Sequence, residues 1–291
     1  MSLKSLNIKG VEWEYETAGR GREAMLLFHG AVGGAETMRA LAEGFADKFR
    51  IIAPTVADVD TLEEVCDAVS AMLDREHVAR AHLLGGSFGG LVAQAFLKRR
   101  AAQVETLTLL GTGAPDRKTG TRTARMSKLV RLLPFPLTRA LLKMEMSRHL
   151  STPAEGDAAA RVAESRRRLE EYFDRRMTKR TLLSRVALSL DFNLNETYTP
   201  DDHAAWPGRV LIIESDDDPM IPPAERQRLR DTYPRALVCT FTGAGHMITL
   251  LQPEALTEVV KAFVKDDYSA PSDIEDHCPD DHQHEHAAHD I

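Results

Sequence analysis

The chain has 291 residues, of which 43% are hydrophobic and 28% are charged, and its formal net charge is −7. This balance is typical of a globular protein with a sizeable core and excludes a wholly disordered or fibrous chain. The apolar runs are far shorter than the roughly 18 residues of a membrane-spanning helix. The polar N-terminus also lacks the apolar segment of a secretory signal peptide. We therefore expect a cytoplasmic protein without a membrane span.

The charge is unevenly distributed along the chain. Residues 114–203 contain 18 basic and 12 acidic residues, whereas residues 266–291 contain nine acidic residues and no Lys or Arg. The basic residues of the middle segment are interleaved with acids and lack an aromatic pattern, which favours solvated helix faces over a nucleic-acid surface. The last segment has few apolar residues and is predicted to be a disordered tail. Its histidines are irregularly spaced, which favours a soluble tail over an ordered metal site.

The first 113 residues alternate between strand and helix patterns. Strands are predicted at residues 11–16, 24–28, 50–53, 81–84 and 104–110, and helices at residues 37–45, from Thr61, and after Gly90. Thr61 and Glu64 form a capping box at the start of the second helix. Strands that alternate with helices of this length predict a mostly parallel, twisted sheet flanked by helices, with the functional loops at the carboxyl ends of the strands.

The strand pattern stops between residues 114 and 203. Apolar residues there recur at spacings of three and four, as in Met126, Leu129 and Leu133, which predicts an all-helical insertion packed through these side chains. We likewise expect Met144 to pack in the ordinary way. Thr152 and Pro153 carry the signals of a helix start. The strand and helix alternation then resumes, with strands at residues 209–213 and 236–241 and helices at residues 223–232 and 253–264.

The segment Gly85-Gly86-Ser87-Phe88-Gly89 follows a predicted strand and precedes a helical pattern. A G-x-S-x-G pattern in this context is typical of a sharp turn that projects its serine above the sheet at a helix N-terminus. Glycines two positions before and after the serine relieve the crowding of such a turn. The sequence therefore predicts that Ser87 is a nucleophile.

A serine nucleophile needs a base and a carboxylate that orients the base. His246 follows the predicted strand at residues 236–241, and Asp218 follows the strand at residues 209–213. We predict that these two residues complete the set. Asp217 is the next candidate for the acid, and Asp116, which follows the strand at residues 104–110, is ranked below it.

Attack of a serine on a carbonyl group also needs hydrogen-bond donors, which stabilise the oxyanion that develops on the substrate. Phe88, the residue after the nucleophile, is expected to supply one backbone N–H group. The loop that begins at His29-Gly30 is expected to supply the other from Ala31.

These motifs, in this order, resemble those of the α/β-hydrolase fold superfamily over about residues 10–265. The resemblance implies a Ser87–His246–Asp218 triad, an acyl-enzyme intermediate, a small-molecule acyl substrate such as a carboxylic ester, and no metal or organic cofactor. The same residues could also cleave a thioester, a lactone or a carbon–carbon bond. The resemblance also implies that residues 114–203 are a helical cap on an α/β core of residues 1–113 and 204–265, with the substrate pocket between them. A serine at the elbow argues against epoxide hydrolases and haloalkane dehalogenases.

Residues 50–110 are also similar to the maspardin-like branch of this superfamily. Three features carry the similarity: the short connection after the third strand, the pair Cys66-Asp67, and the pair His82-Leu83 before the elbow. This branch includes suspected protein-binding adaptors, so the similarity implies an alternative in which the protein binds a protein partner and is not catalytic. The presence of Asp218-Pro219 and Gly245-His246 favours catalysis.

Overall fold

The computed structural model describes residues 1–149 and 156–265. One sheet contains eight strands: β1 (Ser2–Ile8), β2 (Val11–Ala18), β3 (Ala24–Phe28), β4 (Arg50–Thr55), β5 (Ala81–Gly86), β6 (Val104–Leu110), β7 (Arg209–Ser215) and β8 (Leu237–Phe241). Their order is β1-β2-β4-β3-β5-β6-β7-β8. β2 pairs antiparallel with β1 and β4, and the pairings from β4 to β8 are parallel. The predicted mostly parallel sheet is confirmed.

Helices connect the strands. Within the described residues they are α1 (Arg39–Phe45), α2 (Leu62–Arg75), α3 (Phe88–Arg100), α4 (Arg117–Leu132), α5 (Phe135–His149), α6 (Gly156–Arg175), α7 (Lys179–Leu190), α8 (Pro223–Thr232), α9 (Ile248–Leu251) and α10 (Pro253–Lys265). The capping box is present, since Glu64 N donates to Thr61 Oγ1 (3.3 Å) and Thr61 N donates to Glu64 Oε2 (3.2 Å). Together with β1 to β8, these helices form the predicted sheet flanked by helices.

The helices bury both faces of the sheet. On one face, Val69 of α2 and Phe96 of α3 pack with strand side chains such as Leu26. On the other face, Phe45 of α1 and Phe263 of α10 pack with Met25 and other strand side chains. Complete burial of each such side chain contributes about 1.5–3 kcal/mol. The two cores stabilise the sheet, and the sheet positions the loops at its carboxyl edge.

One strand is not predicted from the sequence, and two predicted features lie outside the described residues. β1 is not predicted because its side chains are mostly polar and exposed, although the Lys9-Gly10 turn, with φ of +51° and +86°, pairs it with β2. The predicted helix start at Thr152 and the acidic tail of residues 266–291 lie outside the described residues. No helix in the described ranges has the length and hydropathy to cross a membrane.

The helices between β6 and β7 pack through other side chains than the spacing predicts. Met126, Leu129 and Met144 are 56%, 51% and 50% exposed, so the expectation that they pack in the interior is wrong. Val130 and Phe135, with Leu142, instead contact the buried Tyr172, Phe173, Met177 and Leu182. A spacing of three and four defines a helix face, but the position of the neighbouring helices decides which face is buried.

Candidate active site

Ser87 lies at a sharp turn between β5 and α3. Its backbone has φ +51° and ψ −120°, a strained conformation for a residue with a side chain. A β-carbon at Gly85 would lie 2.3 Å from Gly89 O, and one at Gly89 would lie 2.3 Å from Phe28 O. Both glycines are therefore required by close backbone contacts. The turn places Ser87 at the carboxyl edge of the sheet, directly before the first turn of α3.

His246 and Asp218 meet at the same edge. Asp218 follows β7, and its Oδ2 lies 2.8 Å from Nδ1 of His246 in the loop after β8. The other carboxylate oxygen, Oδ1, accepts from the N–H groups of Met220 (2.8 Å) and Ile221 (3.1 Å). Asp218 is buried, so these bonds fix the orientation of its carboxylate. Such a carboxylate can hold the histidine ring in one orientation and stabilise its protonated form.

The two preceding aspartates make different contacts. Asp217 Oδ1 accepts from Ser215 Oγ and from Gly245 N, both at 2.7 Å, and Asp216 Oδ1 accepts from Gly243 N at 2.9 Å. The hydrogen bond from Ser215 is the main cause of a lowered pKa of Asp217. Asp216 and Asp217 thus hold the loop before His246, whereas Asp218 contacts its ring.

Asp116 lies apart from the histidine contact. Its Oδ2 caps the N-terminus of α4 by accepting from Thr119 N at 3.0 Å. Its other carboxylate oxygen lies 3.7 Å from the guanidinium of Arg228. The structure therefore gives Asp116 a helix-capping contact at the start of α4.

Gly111 lies between the backbone of the Ser87 turn and the His246–Asp218 pair, and no hydrogen bond joins Ser87 Oγ to His246 among the described residues. Ser87 N donates to Leu110 O (2.9 Å) at the end of β6, so Ser87 is bonded to the residue beside Gly111. A β-carbon at Gly111 would lie 3.5 Å from Asp218 Oδ2 and 3.6 Å from His246 Nδ1. With φ +49°, Gly111 also has a conformation that favours glycine. Gly111 cannot be recognised as a site residue from the local sequence, because the side chains near it, Asp218 and His246, are more than 100 positions away.

The loop after β3 is held by His29. Its ring is completely buried, and Nε2 accepts from Val56 N at 3.0 Å. Nδ1 therefore carries the proton and donates to Gly30 O at 2.7 Å. Gly33 N also donates to Gly30 O, which closes the turn that contains Ala31. Phe88 is the first residue of α3, where backbone N–H groups have no acceptor within the helix.

Burial keeps three histidines neutral and makes the stability depend on pH. The pKa is lowered to about 3 for His29 and to about 4 for His82, and burial is the main cause in both. Burial also lowers the pKa of His203. Each binds a proton more readily in the unfolded chain, so its contribution is fully present above pH 6.5 and is lost as the pH falls. We expect the free energy of unfolding to fall by about 2 kcal/mol per pH unit between pH 6.5 and 5, as measured by urea denaturation.

The His82→Asn variant tests the cause of this dependence. It removes one of the three titrating groups, so its unfolding free energy should fall less steeply over the same pH range. This range lies above the pH at which most carboxylates titrate. Parallel curves for the variant and the wild type would show that His82 does not contribute.

Arg185 of α7 is a buried cation that the sequence pattern does not reveal. It is 2% exposed, and its Nη atoms donate to Val56 O (2.5 Å) and Ala57 O (3.2 Å). Its guanidinium carbon lies 5.6 Å from the centre of the Phe88 ring. Its Nε has no hydrogen-bond partner among the residues that the structure describes. Burial, the largest influence, lowers its pKa. No pattern of spacing reveals such a group, because its environment comes from three separate chain segments.

The described side chains include no group of three or more His, Cys, Asp or Glu residues that could hold a metal ion. At the sheet edge, the groups described above are one hydroxyl group, one imidazole, one carboxylate and nearby backbone N–H groups. This set is suited to transfer of an acyl group through a covalent intermediate.

Comparisons with known proteins agree with this fold. Residues 25–259 match the α/β hydrolase family. The chain is 25% identical over 274 residues to a 2-hydroxy-6-oxononadienedioate/2-hydroxy-6-oxononatrienedioate hydrolase of Paraburkholderia xenovorans strain LB400, over 87% of this chain and 91% of that protein. The maspardin-like similarity stays a prediction.

Solved structures show the same architecture. A hydrolase from Pseudomonas aeruginosa PA01 has a TM-score of 0.72 and 19% identity, over 90% of this chain and 98% of that chain. The enol-lactonase from Burkholderia xenovorans LB400 has a TM-score of 0.71 and 18% identity, over 90% of this chain and 100% of that chain. At these identities the likeness concerns the fold alone. Since the family match covers most of the sequence, the chain belongs to the α/β hydrolase family.

Proposed function

We propose that this protein is a serine hydrolase of a carboxylic ester or a related acyl compound, with Ser87 as nucleophile, His246 as general base and acid, and Asp218 as the orienting carboxylate. The contact of 2.8 Å between Asp218 Oδ2 and His246 Nδ1, beside the strained turn at Ser87, carries this proposal. A histidine held by a buried carboxylate next to a projecting serine is the arrangement that activates a hydroxyl group.

The reaction would proceed in two steps, acylation of Ser87 and hydrolysis of the acyl-enzyme. Ser87 Oγ attacks the substrate carbonyl carbon while His246 takes the hydroxyl proton, and the same proton then passes to the departing alcohol. Water attacks the resulting acyl-enzyme, gives one proton to His246, and releases the carboxylic acid as Ser87 regains its hydrogen. The N–H groups of Ala31 and Phe88 would stabilise the oxyanion in both steps.

We assign the substrate pocket to the junction between a core of residues 1–113 and 204–265 and a cap of residues 114–203. Val32, in the loop after β3, packs against the buried cluster of Tyr172 and Phe173. Arg185 lies over Phe88, the residue after the nucleophile. These contacts support a cap that closes over the site.

A panel of p-nitrophenyl esters with acyl chains of different lengths tests the proposal. We expect turnover of at least one ester by the wild type and its loss in His246→Ala, because the serine then lacks its base. Background rates over the whole panel, together with no labelling by a fluorophosphonate probe, would contradict the proposal and favour the non-catalytic adaptor.

Arg185 favours a second candidate, hydrolysis of a carbon–carbon bond in a substrate that carries a carboxylate. Asp58 and Tyr172 interact with the guanidinium, but its buried Nε has no hydrogen-bond partner among the described residues, so a substrate carboxylate that reached Nε would stabilise the cation. The related protein of Paraburkholderia xenovorans is named as a hydrolase of dienedioates, which carry two carboxylate groups. In this candidate the same serine and histidine would act, and Arg185 would bind the carboxylate of the substrate.

Arg185→Met tests the second candidate with a pair of substrates that differ only in a terminal carboxylate. Loss of a charge-assisted hydrogen bond costs about 1.5–3 kcal/mol, so KM for the charged substrate should rise about 10- to 100-fold. KM for the neutral substrate should change little. Arg180→Met is the matched control, because Arg180 lies on α7 and contacts Asp58 O but is exposed. Equal changes for both substrates would contradict a role in carboxylate binding.

A further inference from the structure

The outer surface of α4 combines cationic and apolar side chains. Its exposed residues, from the start to the end of the helix, are Arg117, Lys118, Thr121, Arg122, Arg125, Met126, Lys128, Leu129, Arg131 and Leu132. The last of these is 82% exposed. This surface therefore contains six cations and three large apolar side chains, with no carboxylate.

Helix α5, which follows α4 directly in the chain, also carries exposed apolar side chains. Leu137, Leu141 and Met144 are 48%, 47% and 50% exposed and have the spacing of one helix face. Val130 of α4 and Phe135 of α5 pack inward against the same buried cluster. Both helices therefore turn their other sides outward. We call the ten exposed α4 residues, together with these three α5 residues, the α4–α5 face.

The cations of the α4–α5 face form no close ion pair within the described part of the chain, although Glu225 of α8 interacts electrostatically with Arg122. Basic and acidic residues are interleaved over residues 114–203 as a whole, but residues 117–144 contain eight Lys and Arg residues and no Asp or Glu. The six exposed cations of α4 form no ion pair with any carboxylate in the described part of the chain. On α6, by contrast, Arg167 pairs with Glu164 and Glu171 on the same helix. An unpaired row of cations beside exposed leucines is typical of a helix that lies at a lipid surface.

We propose that the α4–α5 face binds the surface of a membrane that contains anionic lipids. The arginines and lysines would contact lipid phosphate groups, while Met126, Leu129 and Leu132 would enter the boundary between headgroups and acyl chains. Arg117, Lys118, Arg122 and Arg125 lie close together on the open surface of α4, where lipid headgroups can reach them. This inference is independent of the proposed hydrolytic reaction.

Other occupants fit these observations less well. Nucleic acid would pair with the cations, but it offers no apolar surface for the exposed leucines and the face has no aromatic ring for base stacking. The acidic residues 266–291 match the charge, but their few apolar residues are scattered. A second copy of the chain, joined by a two-fold contact through this face, would bring two rows of unpaired cations together. A lipid surface satisfies both the charge and the apolar area.

Sedimentation with vesicles tests the proposal on the full chain. We expect the wild type to bind vesicles of phosphatidylcholine and phosphatidylglycerol, to bind pure phosphatidylcholine at least tenfold more weakly, and to dissociate as salt increases. Arg122→Glu/Arg125→Glu should reduce binding at least tenfold by reversing two charges. Leu129→Ser/Leu132→Ser should also reduce binding, because it removes the apolar anchor while keeping the charge.

The control is Arg20→Glu/Arg22→Glu, which makes the same charge change on the exposed loop between β2 and β3 and should bind as the wild type does. Thermal unfolding of every variant checks that a loss of binding is not a loss of folding. Absence of binding by the wild type, or an equal loss in the control, would overturn the proposal. It would also be overturned if duplex DNA, a peptide of residues 266–291, or self-association depended on the same side chains while vesicles did not bind.

Discussion

Ser87→Ala should lower kcat by about 10⁴- to 10⁶-fold and abolish labelling by a fluorophosphonate probe. The substitution removes the only atom of this side chain that can form the acyl-enzyme, and removal of a serine nucleophile typically has an effect of this size. Folding should be retained, because the adjoining turn depends on Gly85 and Gly89 and on the bond from Ser87 N to Leu110 O. Rates are measured on the best ester of the panel, and labelling is measured by mass spectrometry.

Ser70→Ala is the control for this substitution. Ser70 lies on α2, where its hydroxyl group donates to Gln103 Oε1 at 2.8 Å. Its variant should be labelled as the wild type is. If Ser87→Ala is labelled at the wild-type rate, Ser87 is not an activated nucleophile and the proposed mechanism is wrong.

Asp218→Asn should lower kcat by about 10³- to 10⁴-fold with little change in KM. The amide can still contact the ring, but it can no longer stabilise the protonated histidine or enforce its tautomer. The measurement is kcat and KM for the variant and the wild type.

Asp217→Asn is a closely matched control, since it makes the same chemical change one residue away. Asparagine keeps an oxygen that can accept from Gly245 N and Ser215 Oγ, so the loop contacts can persist. We expect kcat to fall by less than about tenfold, with a loss of stability of about 1 kcal/mol. A larger effect on kcat at Asp217 than at Asp218 would reverse the assignment of the acid.

Much of the fold follows from local patterns. The predicted strands at residues 24–28 and 104–110 agree with β3 and β6, because their apolar runs are buried on both faces of a parallel sheet. The helix after Thr61 begins where its capping box requires. β1 could not be predicted in this way, because its polar residues form a strand only through pairing with β2.

The exposure of the helices between β6 and β7 could not be predicted in the same way. The spacing of Met126, Leu129 and Leu133 indicates a helix face, but it does not indicate what lies opposite that face. In the structure α6 and α7 contact Val130 and Phe135 instead. A helix can bury one stripe only, and the neighbouring elements select it.

The sequence by itself determined the elbow at Ser87, the order of the serine, aspartate and histidine, and the alternation that builds the parallel sheet, because each depends on residues close together in the chain. Only the tertiary structure decided which of three consecutive aspartates contacts His246, since all three share the same local pattern and differ in where their carboxylates point. It alone also placed Arg185 over Phe88. Contacts between distant segments form when the two cores pack on the sheet. The geometry of that packing depends on many residues along the chain and cannot be read from any short segment.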